Sequence, residues 1–356
     1  MAGVVGDVCG VQAQVMSAAQ LALRARVAGL RPEDVERALG RDRTLVKTWA
    51  MRGAAHLLPA ADLPLYLGAL ARREMRSTGW ILRRGLPMKD IDAIVDAVDA
   101  ALEGGPLTRR ELGSRVSRGL GPKARRWVEH SWGGVVQIAC LRGRVCFGPE
   151  KGNEVTFVRV RDWVPRWRDV PPDEAGAALL RRYLGAYGPA TLRDFARWAD
   201  LAIGDARAIW EPMRDETAPV DVEGSAGRIL KDDLPALRRA KARDPVVRLL
   251  PNFDVFLLGH RDKVHLVDAA HYKRVYRKAG WISAAVLVDG RVTGVWTPER
   301  KGRRLVVRVE PFAPLSRAMR EGIEAEAADV GRFLGSECEV AYARGGRDAA
   351  ASANTR

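Results

Sequence analysis

Short helical patterns broken by glycine and proline, each series closing on an extended run, recur three times in the first 245 residues. This recurrence restricts the fold more than any other feature. In the first series the Ala- and Leu-rich stretch Val15 to Val27 stops at Gly29-Leu30-Arg31-Pro32. Glu33 to Leu39 then gives a second short helix, and Leu45 to Trp49 lies in or near a third element. Met51 to Leu58 reads as a strand or small wing, and Pro59 opens a helical segment, Asp62 to Arg76. In the second series Ile91, Ile94, Val95, Val98 and Leu102 fall at helical spacing, and Gly104-Gly105-Pro106 turns the chain. Thr108 with Glu111 forms a capping pair, and Lys123 to Trp132 predicts a basic helix. Val135 to Arg142 and Arg144 to Phe147 read as a hairpin around Gly143. The third series comprises Glu174 to Tyr187, a break at Gly188-Pro189, Thr191 to Trp198, Ile203 to Arg214 and an extended Pro219 to Val222. Helices closed by a hairpin are the pattern of a winged helix-turn-helix.

The remainder reads as β. Val246 to Leu258 predicts strand-turn-strand around Pro251-Asn252, and Asp289-Gly290 marks a hairpin between Trp281–Val288 and Val292–Trp296. Arg304 to Pro311 supplies a strand, Leu315 to Phe333 a long helix, and Cys338 to Tyr342 a last extended run. The expected class is α+β: tandem winged helix-turn-helix units with a C-terminal β-rich portion. The expected divisions are 1–87 (a first unit with a helical extension), 88–170, 171–245, a β-rich 246–344 and a disordered tail 345–356.

A chain of 356 residues exceeds a single core, and its 59 basic against 44 acidic side chains leave a net charge of +15. That excess favours an anionic partner, most simply nucleic acid, although Arg-, Ala- and Gly-rich usage also reflects genomic base composition. Cys9, Cys140, Cys146 and Cys338 form no metal-binding spacing, which points to reduced thiols in a cytoplasmic protein, nucleoid-associated if the anionic partner is DNA. No apolar run reaches the length of a membrane span, so no membrane partner is expected, and a monomer is.

Gln12-Ala13-Gln14 is a polar repeat in an apolar run, and side chains at i and i+2 do not share a helix face. Its bland explanation is surface polarity or a cap at a helix start. With only 11 residues before Gln12, a shortened first unit or a native start further upstream is expected. His260, His265 and His271 would need Asp254, Asp262 or Asp268 to bind a metal, and a polar surface turn explains them equally well. No metal and no cofactor is expected.

The stretch Gly10-Val11-Gln12-Ala13-Gln14 resembles the Gln-x-Gln signature of winged-helix crosslink-repair DNA glycosylases of the AlkZ type. Trp49 to Pro59, Leu249-Leu250-Pro251-Asn252-Phe253-Asp254 and Gly294-Val295-Trp296 extend the resemblance in family order over nearly the whole chain. It implies three winged helices, a β-rich C-terminal portion, and action on double-stranded DNA carrying alkylated or crosslinked purines. Members serve as self-resistance proteins in bacteria that make DNA-alkylating natural products. The family's two catalytic polar residues fall on Gln12 and Gln14. A related branch has Asp at the second position and acts on a broader range of lesions, so by this resemblance Gln14 points toward the resistance-like branch. His56, Arg52, Trp49 and Met51 become expected active-site neighbours, each with a packing role as its alternative.

The chemistry suits neutral amides. A purine alkylated at N7 is already cationic, so its departure needs a placed water and a stabilised oxocarbenium-like sugar more than it needs a strong acid. An amide can hold water without acting as a strong base. Lys273 or Lys278 as a Schiff-base nucleophile is the less favoured lyase reading, because amines on basic surfaces more often contact phosphate. Arg109, Arg110, Lys123, Arg125 and Arg126 are expected phosphate contacts, with Arg142 and Arg144 on a wing and Lys273, Arg274, Arg277 and Lys278 beyond the lesion. The rival reading is a noncatalytic winged-helix DNA-binding protein or regulator, and a weaker one is a scaffold with a basic face.

Overall fold

The computed structural model describes all residues except 132, 165, 166, 242–244, 303 and 344–356, so the expected tail lies outside the described residues. The chain divides into two compact units. One contains Met1–Met16, Glu33–Arg239 and Leu258–Arg261; the other contains Ser17–Pro32, Ala240–Leu257 and Asp262 onward. The architecture is α+β.

The chain opens with α1 (Ala2–Asp7), β1 (Val11–Gln12), α2 (Met16–Arg24), α3 (Pro32–Gly40), β2 (Leu45–Trp49) and β3 (Ala55–Pro59). There follow α4 (Leu63–Ala69), α5 (Ala71–Leu82), α6 (Met88–Ala101), β4 (Leu107–Thr108), α7 (Arg109–Val128), α8 (Gly134–Leu141), β5 (Val145–Phe147), β6 (Thr156–Arg159) and α9 (Val160–Trp163). The first unit continues through α10 (Pro172–Tyr187), α11 (Leu192–Ala199), α12 (Ile203–Trp210), β7 (Thr217–Val222), β8 (Ser225–Leu230) and α13 (Leu234–Arg239). Six strands form one sheet in the order β1-β3-β2-β5-β6-β4, while β7 and β8 pair by themselves. The sheet is thus two three-stranded ladders, β1-β3-β2 and β5-β6-β4, joined where Lys47 faces Phe147. Each ladder comes from the same chain order: helix, strand, two helices, two strands.

Two apolar clusters fill this unit. One gathers Tyr66, Tyr183, Phe195 and Trp198 from α4, α10 and α11; the other gathers Trp49, Phe157 and the buried faces of α6, α7 and α8. The capping pair forms as expected: Thr108 Oγ1 accepts from Glu111 N, and Glu111 Oε2 accepts from Thr108 N. Such a cap is worth about 1 kcal/mol.

Several sequence readings change. Val135 to Arg142 is helical, and Val145–Phe147 pairs with Thr156–Arg159, so no hairpin turns at Gly143. Nearly every residue of α8 is buried, and complete burial erases the periodicity that separates a helix from a buried strand. The basic helix expected at Lys123 is the second half of α7, which bends where Gly121 leaves helical geometry; Trp132 lies outside the described residues. Leu45–Trp49 is a strand paired with Ala55–Pro59, and residues 2–7 form a short helix ahead of Gln12.

The second unit holds α2 and then β9 (Val247–Leu250), α14 (Tyr272–Val275), β10 (Ala285–Val288), β11 (Arg291–Lys301), β12 (Arg304–Pro311), α15 (Arg317–Phe333) and β13 (Glu337–Tyr342). Its sheet runs β13-β12-β11-β10-β9, antiparallel except for the parallel β12–β13 pair. Asp289 and Gly290 both take positive φ, 48° and 82°, as a tight hairpin of right-handed twist requires. The second strand expected up to Leu258 is absent. After β9, Phe253 turns left-handed (φ 59°) and Asp254 Oδ1 accepts from Phe256 N, so Val255–Leu258 is a 3₁₀ turn. Arg24, 3% exposed, reaches Glu326 and Asp329 on α15 at 3.2 and 3.1 Å and donates to Leu249 O at 3.0 Å. Arg26 grips Asp254 through two bonds of 2.8 and 2.7 Å.

Candidate active site

Gln12 lies on β1, directly opposite His56 of β3, which faces Thr48 of β2. Gly10 makes the entry possible. It takes φ +88°, and a Cβ there would stand 2.6 Å from the Leu58 side chain. Pairing continues past the strand, because Ala13 N donates to Ala55 O at 2.7 Å. Gln12 ends the strand and Gln14 stands in the bend just beyond it, so neither lies on a helix and the i, i+2 spacing that made no sense there meets no helical constraint. Gln14, exposed, accepts from Ala55 N through Oε1 at 3.2 Å.

Between β2 and β3 the chain reverses through Ala50–Ala54, closed by Ala50 N to Ala54 O and Ala54 N to Met51 O, each 3.1 Å. Arg52 (φ 54°) and Gly53 (φ +67°) both sit in the left-handed region. For an arginine that conformation costs about 1–2 kcal/mol. It aims the guanidinium inward. Arg52 Nη1 donates to Trp198 O at 3.0 Å, while Nη2 donates to Gln12 Oε1 at 3.2 Å and to His56 Nε2 at 3.0 Å. Arginine has no acceptor, so His56 Nε2 must accept and the ring proton sits on Nδ1, which donates to Ala54 O at 2.9 Å. The same logic fixes both glutamine amides: each carbonyl oxygen meets a protein donor.

Burial and the adjacent Arg52 charge hold the His56 pKa well below its usual value, so the imidazole is neutral. Burial lowers the Arg52 pKa to about 10, which leaves it cationic at neutral pH. Among the described residues no carboxylate bonds to Gln12, Gln14, Arg52 or His56. The group can place and polarise a ligand, but it holds no strong base. Burial also raises the Cys9 and Cys140 thiols to about 12 and Cys146 well above its usual value, removing them as nucleophiles.

Of the expected neighbours, His56 and Arg52 join Gln12. Trp49 (5% exposed) and Met51 (1%) belong to the apolar clusters, Trp49 packing on Phe147 and Phe157. The expected phosphate contacts separate. Arg109 turns inward to the Val128 and His130 carbonyls and lies over the Phe157 ring. Arg142 and Arg144, expected on a wing, instead follow the C-terminus of α8. Arg142 pairs with Glu74 and Asp92, and Arg144 pairs with Asp96 and Asp99. Arg110, Lys123 and Arg125 are exposed, beside Glu154, Asp90 and Glu129 respectively, and Arg126 is exposed. In the second unit Lys273, Arg274, Arg277 and Lys278 are all exposed around α14, with Arg274 reaching Glu310 at 3.2 Å. Among the described residues no cluster of three or more His, Cys, Asp or Glu has the geometry to hold a metal, and no helix is long and apolar enough to cross a membrane.

The helical segment read as ending at Arg76 continues as α5 to Leu82, and sequence reading missed the arginines along it. Arg72, Arg76 and Arg83, spaced four and seven residues apart, line a groove of about 1190 Å³ with Arg73 and Trp80, and the groove reaches Gly53. Asp200 and Asp205 offset part of that charge. The helical spacing of these arginines was the available signal.

Comparison with known proteins places this frame. The family described as DNA glycosylase AlkZ-like matches residues 5–333, and the chain belongs to that family. It is 39% identical over 342 residues, 93% of this chain and 90% of the relative, to a protein of Streptomyces sahachiroi described as an interstrand DNA cross-link repair glycosylase. The solved structure of the Streptomyces sahachiroi DNA glycosylase AlkZ superposes with a TM-score of 0.83 at 37% identity, covering 96% of this chain and 93% of that one.

Proposed function

We propose that this chain is a monofunctional DNA glycosylase that hydrolyses the N-glycosidic bond of bulky N7-alkylpurines. It thereby unhooks interstrand crosslinks in double-stranded DNA and leaves an abasic site. One observation carries the reading: two glutamines, one at the end of β1 and one in the bend just beyond it, each bonded to β3 or to the turn before it and among the described residues to no carboxylate, in a chain of this family. The C1′–N9 bond breaks with its electron pair going to the departing base, which neutralises the ring's positive charge. Water adds to C1′ and releases a proton to solvent. No strong acid is needed, so amides that place water and support the charge redistribution suffice. The repeated order helix–strand–helix–helix–strand–strand, with β4 closing on β6 and β1 on β3, supports winged-helix units as the DNA-binding frame. The relative's description, an interstrand DNA cross-link repair glycosylase, supports crosslinks as the lesion.

The test is base release and strand separation on duplexes carrying N7-alkylguanine or a defined interstrand crosslink. Gln12→Ala and Gln14→Ala lose most turnover while keeping nonspecific DNA affinity. Unchanged turnover in both variants would sink the assignment. EDTA leaves the wild-type rate unaltered.

A further inference from the structure

We propose that Arg52 and His56 are a positioning pair that fixes the Gln12 side chain with its NH2 end, rather than its carbonyl oxygen, presented to the substrate. The proposal rests on the glycosylase reading and deepens it. A continuous chain of bonds carries it: Ala54 O accepts from His56 Nδ1, His56 Nε2 accepts from Arg52 Nη2, and Gln12 Oε1 accepts from the same Nη2. Every donor and acceptor role follows from the arginine having nothing but donors. Arg52 is also anchored from the far side by the Trp198 carbonyl at 3.0 Å. A left-handed arginine whose guanidinium serves three neutral acceptors is an expensive arrangement, since a buried cation is ordinarily balanced by a carboxylate. Here that charge polarises the Gln12 amide. Electron density drawn toward Oε1 makes the amide N–H groups stronger donors. A donor suits the departing purine, which gains the electron pair of the breaking bond.

The charged and titratable groups around the pair are Arg73 on α5, Arg197 and Asp200 at the end of α11, and Tyr187 at the end of α10. Their net charge opposes a second proton on His56. A protonated His56 donates at both ring nitrogens, so Arg52 loses one of its three acceptors and the guanidinium that holds Gln12 is pushed from its place.

Arg52→Lys keeps the charge but cannot reach three acceptors from one flat fork. On lesion-bearing duplex its single-turnover rate falls roughly 10- to 100-fold, while affinity for undamaged duplex stays within about twofold. His56→Gln retains an acceptor near the ε position and keeps most of the rate, whereas His56→Leu loses it. Wild-type rate also falls on acidification, and His56→Gln removes that limb. A crystal structure of Arg52→Lys reads positioning without turnover: Gln12 leaves its place opposite His56. Wild-type rates in both Arg52→Lys and His56→Leu, equal losses of rate and affinity, or an unmoved Gln12 would each overturn the proposal. Failure of the wild-type protein to release any base overturns the glycosylase reading instead, and the Gln12 position still decides this one.

Discussion

At the scale of the residue, the hub of the candidate site is a neutral histidine against a cationic arginine. Native His56 has a pKa held well below the unfolded value of about 6.5, by burial first and by Arg52 second. Below pH 6.5 the unfolded chain therefore binds a proton that the native chain refuses. Stability is full above that pH and declines as pH falls, with a slope from this residue of at most about 1.4 kcal/mol per pH unit. Urea midpoints taken between pH 7.5 and 5.5 should fall more steeply for wild type than for His56→Gln, and parallel curves would remove His56 from the account. Gly10 imposes a different constraint. Gly10→Ala forces a side chain into left-handed backbone against Leu58, and the expected loss is about 1–3 kcal/mol with reduced turnover, because β1 carries Gln12. Gln12 and Gln14 were legible as oddities of spacing, since two amides at i and i+2 disagree with a helix. Arg52 was legible only as a neighbour in sequence. Its reach to Gln12 depends on a left-handed turn, which nothing in an arginine's own chemistry announces.

At the scale of the element, local signals succeeded where the turn chemistry is self-contained. The Thr108–Glu111 cap and the Asp289-Gly290 hairpin both form as their residues dictate. They failed where burial decides. α8 exposes almost no side chain, so its Val- and Ile-rich run reads as a strand until α6 and α7 are seen to cover it. The Leu249–Asp254 segment is similar: Leu250 O accepts from Trp296 Nε1, Asn252 donates to Ile282 O, and Asp254 holds Arg26. Its residue types suggested a turn within a strand pair, but the partners that shape it lie far along the chain. Asp254 is fully covered, so Asp254→Ala removes a buried carboxylate that holds Arg26 by two bonds and accepts from Phe256 N, and should cost about 3–5 kcal/mol. Thermal melting measures this, and a change below about 1 kcal/mol would mean that solvent reaches Arg26 in the variant.

At the scale of the whole molecule, the charge of +15 is distributed unevenly between structural pairing and exposure. Arg142 joins α5 to α6 through Glu74 and Asp92, and Arg109 is spent on carbonyls at the end of α7. Composition could not separate these arginines from those of α14, because net charge counts a paired guanidinium and an exposed one alike. DNA affinity separates them. Each phosphate contact releases condensed counterions, so losing one lowers the slope of log affinity against log salt by about 1. Arg277→Ala and Lys278→Ala, at exposed positions with no role in the core, should each reduce that slope by this amount on undamaged duplex. Arg142→Ala should leave the slope alone and instead lower thermal stability by about 1 kcal/mol, the worth of partly exposed ion pairs with Glu74 and Asp92. Affinities measured from 50 to 200 mM salt distinguish the two groups. A slope change for Arg142→Ala would mean that its carboxylates yield to phosphate on binding, making the α5–α6 pairing part of the DNA surface.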